Sequence, residues 1–263
     1  MNNNNNRIWE IDFLRGICIT GMIFNHFLLS IVLFYWDKSA NGILGDIIKF
    51  ANFAYSTGNY IKQPITYIVL SIFFIISGIS SNLSNNNKKR LIKLGVMTIF
   101  MLFFCIIISK IFTVDIITFF GVFACYFCCL LIYIIILEIS KKINSKSFFY
   151  VVFFLLIIAS AIIIIFKPYA ENTNIFMFLG IPKKNSYLGF EYFPIFPWIG
   201  IYGIGVIGGR IIYRSKRTLL PFNYLHKEFF SFIGRNGLKA YILQIPFLFF
   251  IVNLIDIIFT KIT

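Results

Sequence analysis

Long apolar runs broken by short polar clusters fill the chain, and seven of them approach or exceed the roughly 20 residues a helix needs to cross a hydrocarbon core. They lie at about Ile11–Trp36, Pro64–Leu83, Leu91–Ser109, Ile116–Leu137, Phe148–Phe166, Tyr192–Tyr213 and Leu238–Phe259. A helix meets its own backbone hydrogen-bonding needs in lipid, so the pattern predicts an all-α integral membrane protein, a single bundle of about seven transmembrane helices. The first connection is long enough to hold an element of its own. Along it Ile43, Leu44, Ile47, Ile48, Ala51 and Ala54 recur at helical spacing, which predicts an interfacial helix on the outer leaflet.

The polar clusters set the orientation. The second, fourth and sixth connections carry thirteen basic residues: Lys88, Lys89, Arg90 and Lys93; Lys141, Lys142 and Lys146; Arg210, Arg214, Lys216, Arg217, Lys227 and Arg235. The first, third and fifth carry seven, namely Lys38, Lys49, Lys62, Lys110, Lys167, Lys183 and Lys184. Basic residues stay on the cytoplasmic side, so the N-terminus is expected in the cytoplasm and the C-terminus outside.

Composition narrows the class further. Of 263 residues, 59% are hydrophobic and only 13% charged, with a mean hydropathy of +0.85, which excludes an ordinary soluble domain. The net charge of +14 would suit nucleic acid, but its residues sit in clusters between spans, so membrane lipids rather than nucleic acid are the expected partner. The Asn-rich residues 1–6 are expected to form a disordered tail ahead of one helical domain over 7–263. A cleaved signal peptide is not expected, because the first apolar stretch is too long and contains Asp12 and Arg15. Cys18, Cys105, Cys125, Cys128 and Cys129 fall inside spans with no His or second Cys pair beside them, so they read as packing residues and no metal is expected.

The first span holds the most informative polar residues. Arg15 and His26 are eleven positions apart, hence about 20° apart around a helix and about 16 Å apart along it, with Asp12 on the same side. Two readings stay open for each. Arg15 either snorkels to the helix end, paired with Asp12, or faces a ligand; His26 either bonds a neighbouring helix or marks a site, since a polar group this deep is costly. Asn25 is expected to face a neighbouring helix. Ser77, Gly78, Ser80 and Ser81, with the glycines of "WIGIYGIGVIGGR", allow close helix approach. Glu191 and Trp198, in "EYFPIFPWIG", suit either an interfacial belt or the rigid mouth of a cavity. In "IGRNGLKAYILQIPF", Arg235 and Asn236 enter from the cytoplasm, Tyr241 and Gln244 lie one turn apart, and Gln244 is deep enough to need a partner. His226 belongs to a cytoplasmic loop.

Taken in order, "RIWEIDFLRGICITGMIFNHF", "FFIISGISS", "EYFPIFPWIGIYGIGVIGGR" and "FIGRNGLKAYILQIPF" resemble the landmarks of the short bacterial members of the heparan-α-glucosaminide N-acetyltransferase catalytic-domain family. The resemblance runs from about residue 7 to residue 250. It implies a membrane acyltransferase of the bacterial cytoplasmic membrane that moves acetyl from cytoplasmic acetyl-CoA to an amine or hydroxyl acceptor, a small molecule or glycan. Arg15, Arg90, Arg235 and Asn236 would then hold the anionic CoA end, and His26 would act as general base or acyl acceptor. Asp12, Asn25, Ser77, Thr118, Glu191, Trp198, Tyr241 and Gln244 would line the acceptor. The resemblance also has gaps. Where the family pattern expects a histidine at the start of the fourth span, this chain has Thr118 in "DIITFFG"; where it expects His-Gln-Pro, Gln244, Ile245 and Pro246 stand; and Ser30 replaces an acid. The alternative is therefore a non-enzymatic membrane protein that binds or passes an amphiphilic ligand, or a subunit of an envelope complex. A homodimer stays open.

Overall fold

The computed structural model describes residues 8–35, 42–56, 62–112, 120–186, 192–220 and 227–262. Among them run nine α-helices: α1 (Trp9–Tyr35), α2 (Gly42–Ser56), α3 (Lys62–Leu83), α4 (Asn87–Phe112), α5 (Val122–Lys142), α6 (Lys146–Phe166), α7 (Ile195–Ile212), α8 (Lys227–Arg235) and α9 (Gly237–Ile262). Two isolated bridges, Phe120 with Tyr192 and Ala170 with Lys183, are the β-pairing among the described residues. Six helices, α1 and α3 to α7, are long and apolar enough to cross a membrane, and α9 covers the predicted seventh span. The chain is an all-α multi-pass membrane protein. The tail 1–6 lies outside the described residues.

Two helix starts differ most from expectation. α4 starts at Asn87, so Lys88, Lys89 and Arg90 ride on its first turn instead of ending a connection. α5 starts at Val122 rather than Ile116: Gly121 is extended (φ −83°, ψ 179°), and the neighbouring Phe120 carbonyl accepts from the Phe193 amide at 2.8 Å, which holds the backbone out of the helix. The helix in the first connection is α2. Its Ile48 and Ala51 pack on Leu28 and Ile31 of α1, and Phe50 and Phe53 are left exposed. α8 is not foreseen from the sequence, and it is too short for a span.

The chain divides into two compact units, residues 1–73 with 217–263, and residues 74–216. In the first, α1 is the common element. Gly16 of α1 and Gly234 of α8 let the two helices touch backbone to backbone, since a Cβ on Gly16 would collide with the Phe230 carbonyl and one on Gly234 with the Asp12 carbonyl. Gly237 brings the start of α9 onto Ile19, which a Cβ there would meet at 2.7 Å. The head of α1 is pinned as well: Trp9 Nε1 donates to the Leu220 carbonyl at 3.2 Å, and Glu10 Oε1 accepts from the Leu219 amide at 2.7 Å.

In the second unit the same device joins the end of α3 to α7. A Cβ on Gly78 would strike the Tyr202 carbonyl, and one on Gly205 the Ile75 carbonyl. Phe74, Phe149, Phe153 and Tyr202 fill the interior. The long connection after α6 folds back on itself, with the Ala170 amide donating to the Pro182 carbonyl and the Lys184 amide to the Ala170 carbonyl. Tyr192 Oη donates to the Met177 carbonyl and fastens this connection to the head of α7.

Candidate functional site

The stripe on α1 lies in the first unit, where most of its members find protein partners. Arg15 Nη1 donates to Asp12 Oδ1 at 3.0 Å and to the Gly234 carbonyl at 3.3 Å. With one side chain 20% and the other 16% exposed, this is a half-sheltered ion pair on a cation that also ties α1 to α8. Asn25 offers both its carbonyl and its Oδ1 to Tyr55 Oη of α2, at 2.9 and 3.0 Å. Arg235 turns back on α8, Nε donating to the Ser231 carbonyl at 3.2 Å and Nη2 lying 3.8 Å from Glu228 Oε2. Asn236 Nδ2 donates to the Phe232 carbonyl at 3.0 Å.

His26 is set differently. Its ring stands edge to face with Tyr241 of α9, centroids 6.0 Å apart and planes at 82°. Tyr241 is buried, and one turn along α9 Gln244 is 4% exposed, with no hydrogen-bond partner for its Oε1 among the described residues. An orphaned amide oxygen in an apolar interior costs about 1–3 kcal/mol unless something donates to it. The first unit thus offers a partly buried imidazole, a phenol ring against it and an unsatisfied acceptor.

The second unit holds Ser77, Arg90 and Trp198. Ser77 is buried on α3, its carbonyl accepting from Ser81 Oγ at 2.9 Å. Trp198 is buried against Phe74 and Phe193, with centroids 5.0 and 5.6 Å away. Arg90 sets its guanidinium carbon 5.2 Å from the centre of the Tyr126 ring. Thr118 and Glu191 lie outside the described residues. Among the described residues no three His, Cys, Asp or Glu side chains are grouped to hold a metal.

The second unit also contains a polar network that the sequence does not announce. Asn82, near the end of α3, is its junction. Nδ2 donates to the Val206 carbonyl at 2.7 Å, while Oδ1 accepts from Tyr133 Oη at 3.3 Å and from Arg210 Nε at 3.2 Å. Next to it Ser81 Oγ donates to the Ser77 carbonyl, which leaves Tyr202 Oη to donate to Ser81 Oγ at 2.6 Å. The guanidinium carbon of Arg210 sits 3.4 Å from the centre of the Phe149 ring. In the sequence Ser81 reads as a small packing residue and Arg210 as one charge of a cytoplasmic connection. The one available signal is Asn82 itself, an amide directly behind a stripe of small residues and still within a span.

Comparison with known proteins adds the family. Residues 7–246 match the family model described as heparan-alpha-glucosaminide N-acetyltransferase, catalytic. No curated protein and no solved structure gives a significant match. The family match covers nearly the whole chain, on a helical membrane scaffold whose first span carries the half-buried His26, and it settles what the sequence motifs suggested: this chain belongs to the heparan-α-glucosaminide N-acetyltransferase catalytic family of membrane acetyltransferases.

Proposed function

We propose that the protein transfers acetyl from acetyl-CoA, taken from the cytoplasm, to an amine or hydroxyl of a small-molecule or glycan acceptor, in the cytoplasmic membrane of a bacterium. The observation that carries this reading is the pairing of His26 with Tyr241 in the same unit as the orphaned Gln244 Oε1. The thioester supplies an activated acyl carbon with a good leaving group. His26 accepts the proton of the attacking amine or hydroxyl as the new C–N or C–O bond forms and the thioester C–S bond breaks, and it returns that proton to the departing thiolate, so that CoA leaves as the free thiol. Tyr241 holds the ring edge to face and limits its rotation. Gln244 Oε1 accepts a hydrogen bond from the acceptor's second N–H or a neighbouring hydroxyl, and so orients it. Arg15, held by Asp12 and Gly234, keeps the helix that carries His26 seated on α8.

The test is acetyl release from labelled acetyl-CoA, with and without amino-sugar acceptors, in wild type and His26→Gln. Loss of a general base should cost about 10²–10⁴-fold in turnover while acetyl-CoA binding stays near wild type. Equal turnover in both proteins would sink the role of His26. Tight acetyl-CoA binding with no turnover in wild type would favour a non-enzymatic binding protein.

A further inference from the structure

Arg210 is fixed at two points without being neutralised. Its Nε is committed to Asn82 Oδ1 at 3.2 Å, and one face of the guanidinium lies on Phe149, with the Tyr150 ring centre 5.9 Å away. No carboxylate pairs with it among the described residues; the side-chain oxygens beside it are neutral, Asn82 Oδ1 and the Tyr133 hydroxyl. Asn82 cannot swing away, because Nδ2 is occupied by the Val206 carbonyl and Oδ1 also takes the Tyr133 hydroxyl. A guanidinium fixed through Nε and one face keeps a planar fork of N–H groups at its tip, the geometry that pairs bidentately with two oxygens of a phosphate.

The surroundings favour an anion. Arg210 touches the end of α3 and the start of α6, so the last turn of α7 lies at the same end of the unit as Lys88, Lys89, Lys141, Lys142 and Lys146. The described carboxylate at that end, Glu138, is exposed and paired with Lys141 at 3.4 Å. Such a cluster, in which basic residues outnumber the described carboxylate, concentrates anions at the edge of a low-dielectric interior.

We propose that Arg210, positioned by Asn82 and Phe149, binds a phosphate group at this end of the second unit. That the phosphate is the acyl donor's rests on the function proposed above; the site itself does not. The same chemistry would take the phosphate of an anionic lipid headgroup.

The experiment uses the full chain in phosphatidylcholine nanodiscs, with binding of CoA, 3′,5′-ADP and pantetheine measured for wild type, Arg210→Gln, Arg210→Lys and Asn82→Asp. Retention of added phosphatidylglycerol is read in parallel by native mass spectrometry. Asn82→Asp gives Arg210 a carboxylate partner of the same size at the loss of the Nδ2 bond to the Val206 carbonyl, and, read beside the melting temperature, tests the un-neutralised fork without removing the cation. For the donor's phosphate, CoA and 3′,5′-ADP affinity should fall about tenfold or more in Arg210→Gln and Asn82→Asp, the loss of one charge-assisted pair, with pantetheine unaffected. Arg210→Lys should fall between, because it keeps charge without the fork. Unchanged CoA with lost phosphatidylglycerol retention would keep the phosphate site and make a lipid its occupant. Variants that melt as wild type and bind both probes as wild type would overturn it, as would a wild type that binds neither. Arg210-dependent CoA binding without any acetyl transfer would fail the transferase reading alone.

Discussion

Arg15 and Arg235 of the first unit and Arg210 of the second are held in opposite ways. In the first, Arg15 meets Asp12 at 3.0 Å and Arg235 has Glu228 at 3.8 Å. In the second, Arg210 has a neutral amide at Nε and an aromatic ring under its face. A carboxylate neutralises a guanidinium, whereas an amide oxygen and a ring fix its position and leave its charge in place. The first arrangement ties α1 to α8 through Arg15, and the second is the one proposed to bind a phosphate. Charge count along the sequence cannot separate the two.

The largest effect should come from the contact that brings Arg15 to its second partner. Gly234→Val would drive a side chain into the Asp12 carbonyl and push α8 off α1, costing about 3 kcal/mol or more. Melting followed in detergent should show a large drop. Gly21→Ala, where a Cβ meets nothing within 4 Å, should melt as wild type. If Gly234→Val melted like Gly21→Ala, the close seat of α8 on α1 would be wrong, and with it the account of Arg15 as a packing cation.

Next in size is removal of the acid. Asp12→Ala removes the carboxylate from a half-sheltered Arg15, leaving it the Gly234 carbonyl, and should cost about 1.5–3 kcal/mol, the range for a hydrogen bond to a charged group. Glu138→Ala removes the partner of an exposed lysine and should cost no more than about 1 kcal/mol. The binding assay sharpens the contrast: Arg15→Gln should leave CoA affinity within about twofold of wild type, against the larger loss expected at Arg210. An equal loss at both positions would erase the distinction between the units.

The same contrasts separate what is written locally in the sequence from what is not. The spans are legible because a membrane helix is a local property, set by about 20 consecutive residues. The start of α5 is not, because the apolar run continues through Phe119, Phe120 and Gly121, and the extended Gly121 with the distant Phe120–Phe193 hydrogen bond sets where the helix begins. α8 escapes notice because nine residues give too short a stripe to stand out beside a span. Asp12 and Arg15, three positions apart, are readable as a pair. His26 and Tyr241 each stand out, but nothing local joins them. Asn82 and Arg210 meet across 128 positions, and each alone resembles an ordinary helix-end residue.

The smallest expected effect concerns a tyrosine outside the spans. Tyr192 donates to the Met177 carbonyl at the head of α7, and its burial pushes the phenol up to about 12 from 10.0. A folded-state value above the unfolded one means that the folded protein keeps the proton longer. The contribution is therefore fully present below about pH 10 and is lost as pH rises towards about 12, where the phenolate must form beside a carbonyl that prefers a donor. Tyr192 is partly exposed, so the effect should be a small fall in melting temperature. Lysines titrate in the same window, so the informative quantity is the difference between wild type and Tyr192→Phe, measured at about pH 9 and about pH 11.5. Wild type should melt higher at the lower pH because of its hydrogen bond, and the gap should narrow at the higher one. A gap that stays constant would mean that the phenol gains no proton affinity from its seat. A gap that widens would contradict the direction of the shift and leave the Met177 contact as no anchor for this end of the second unit.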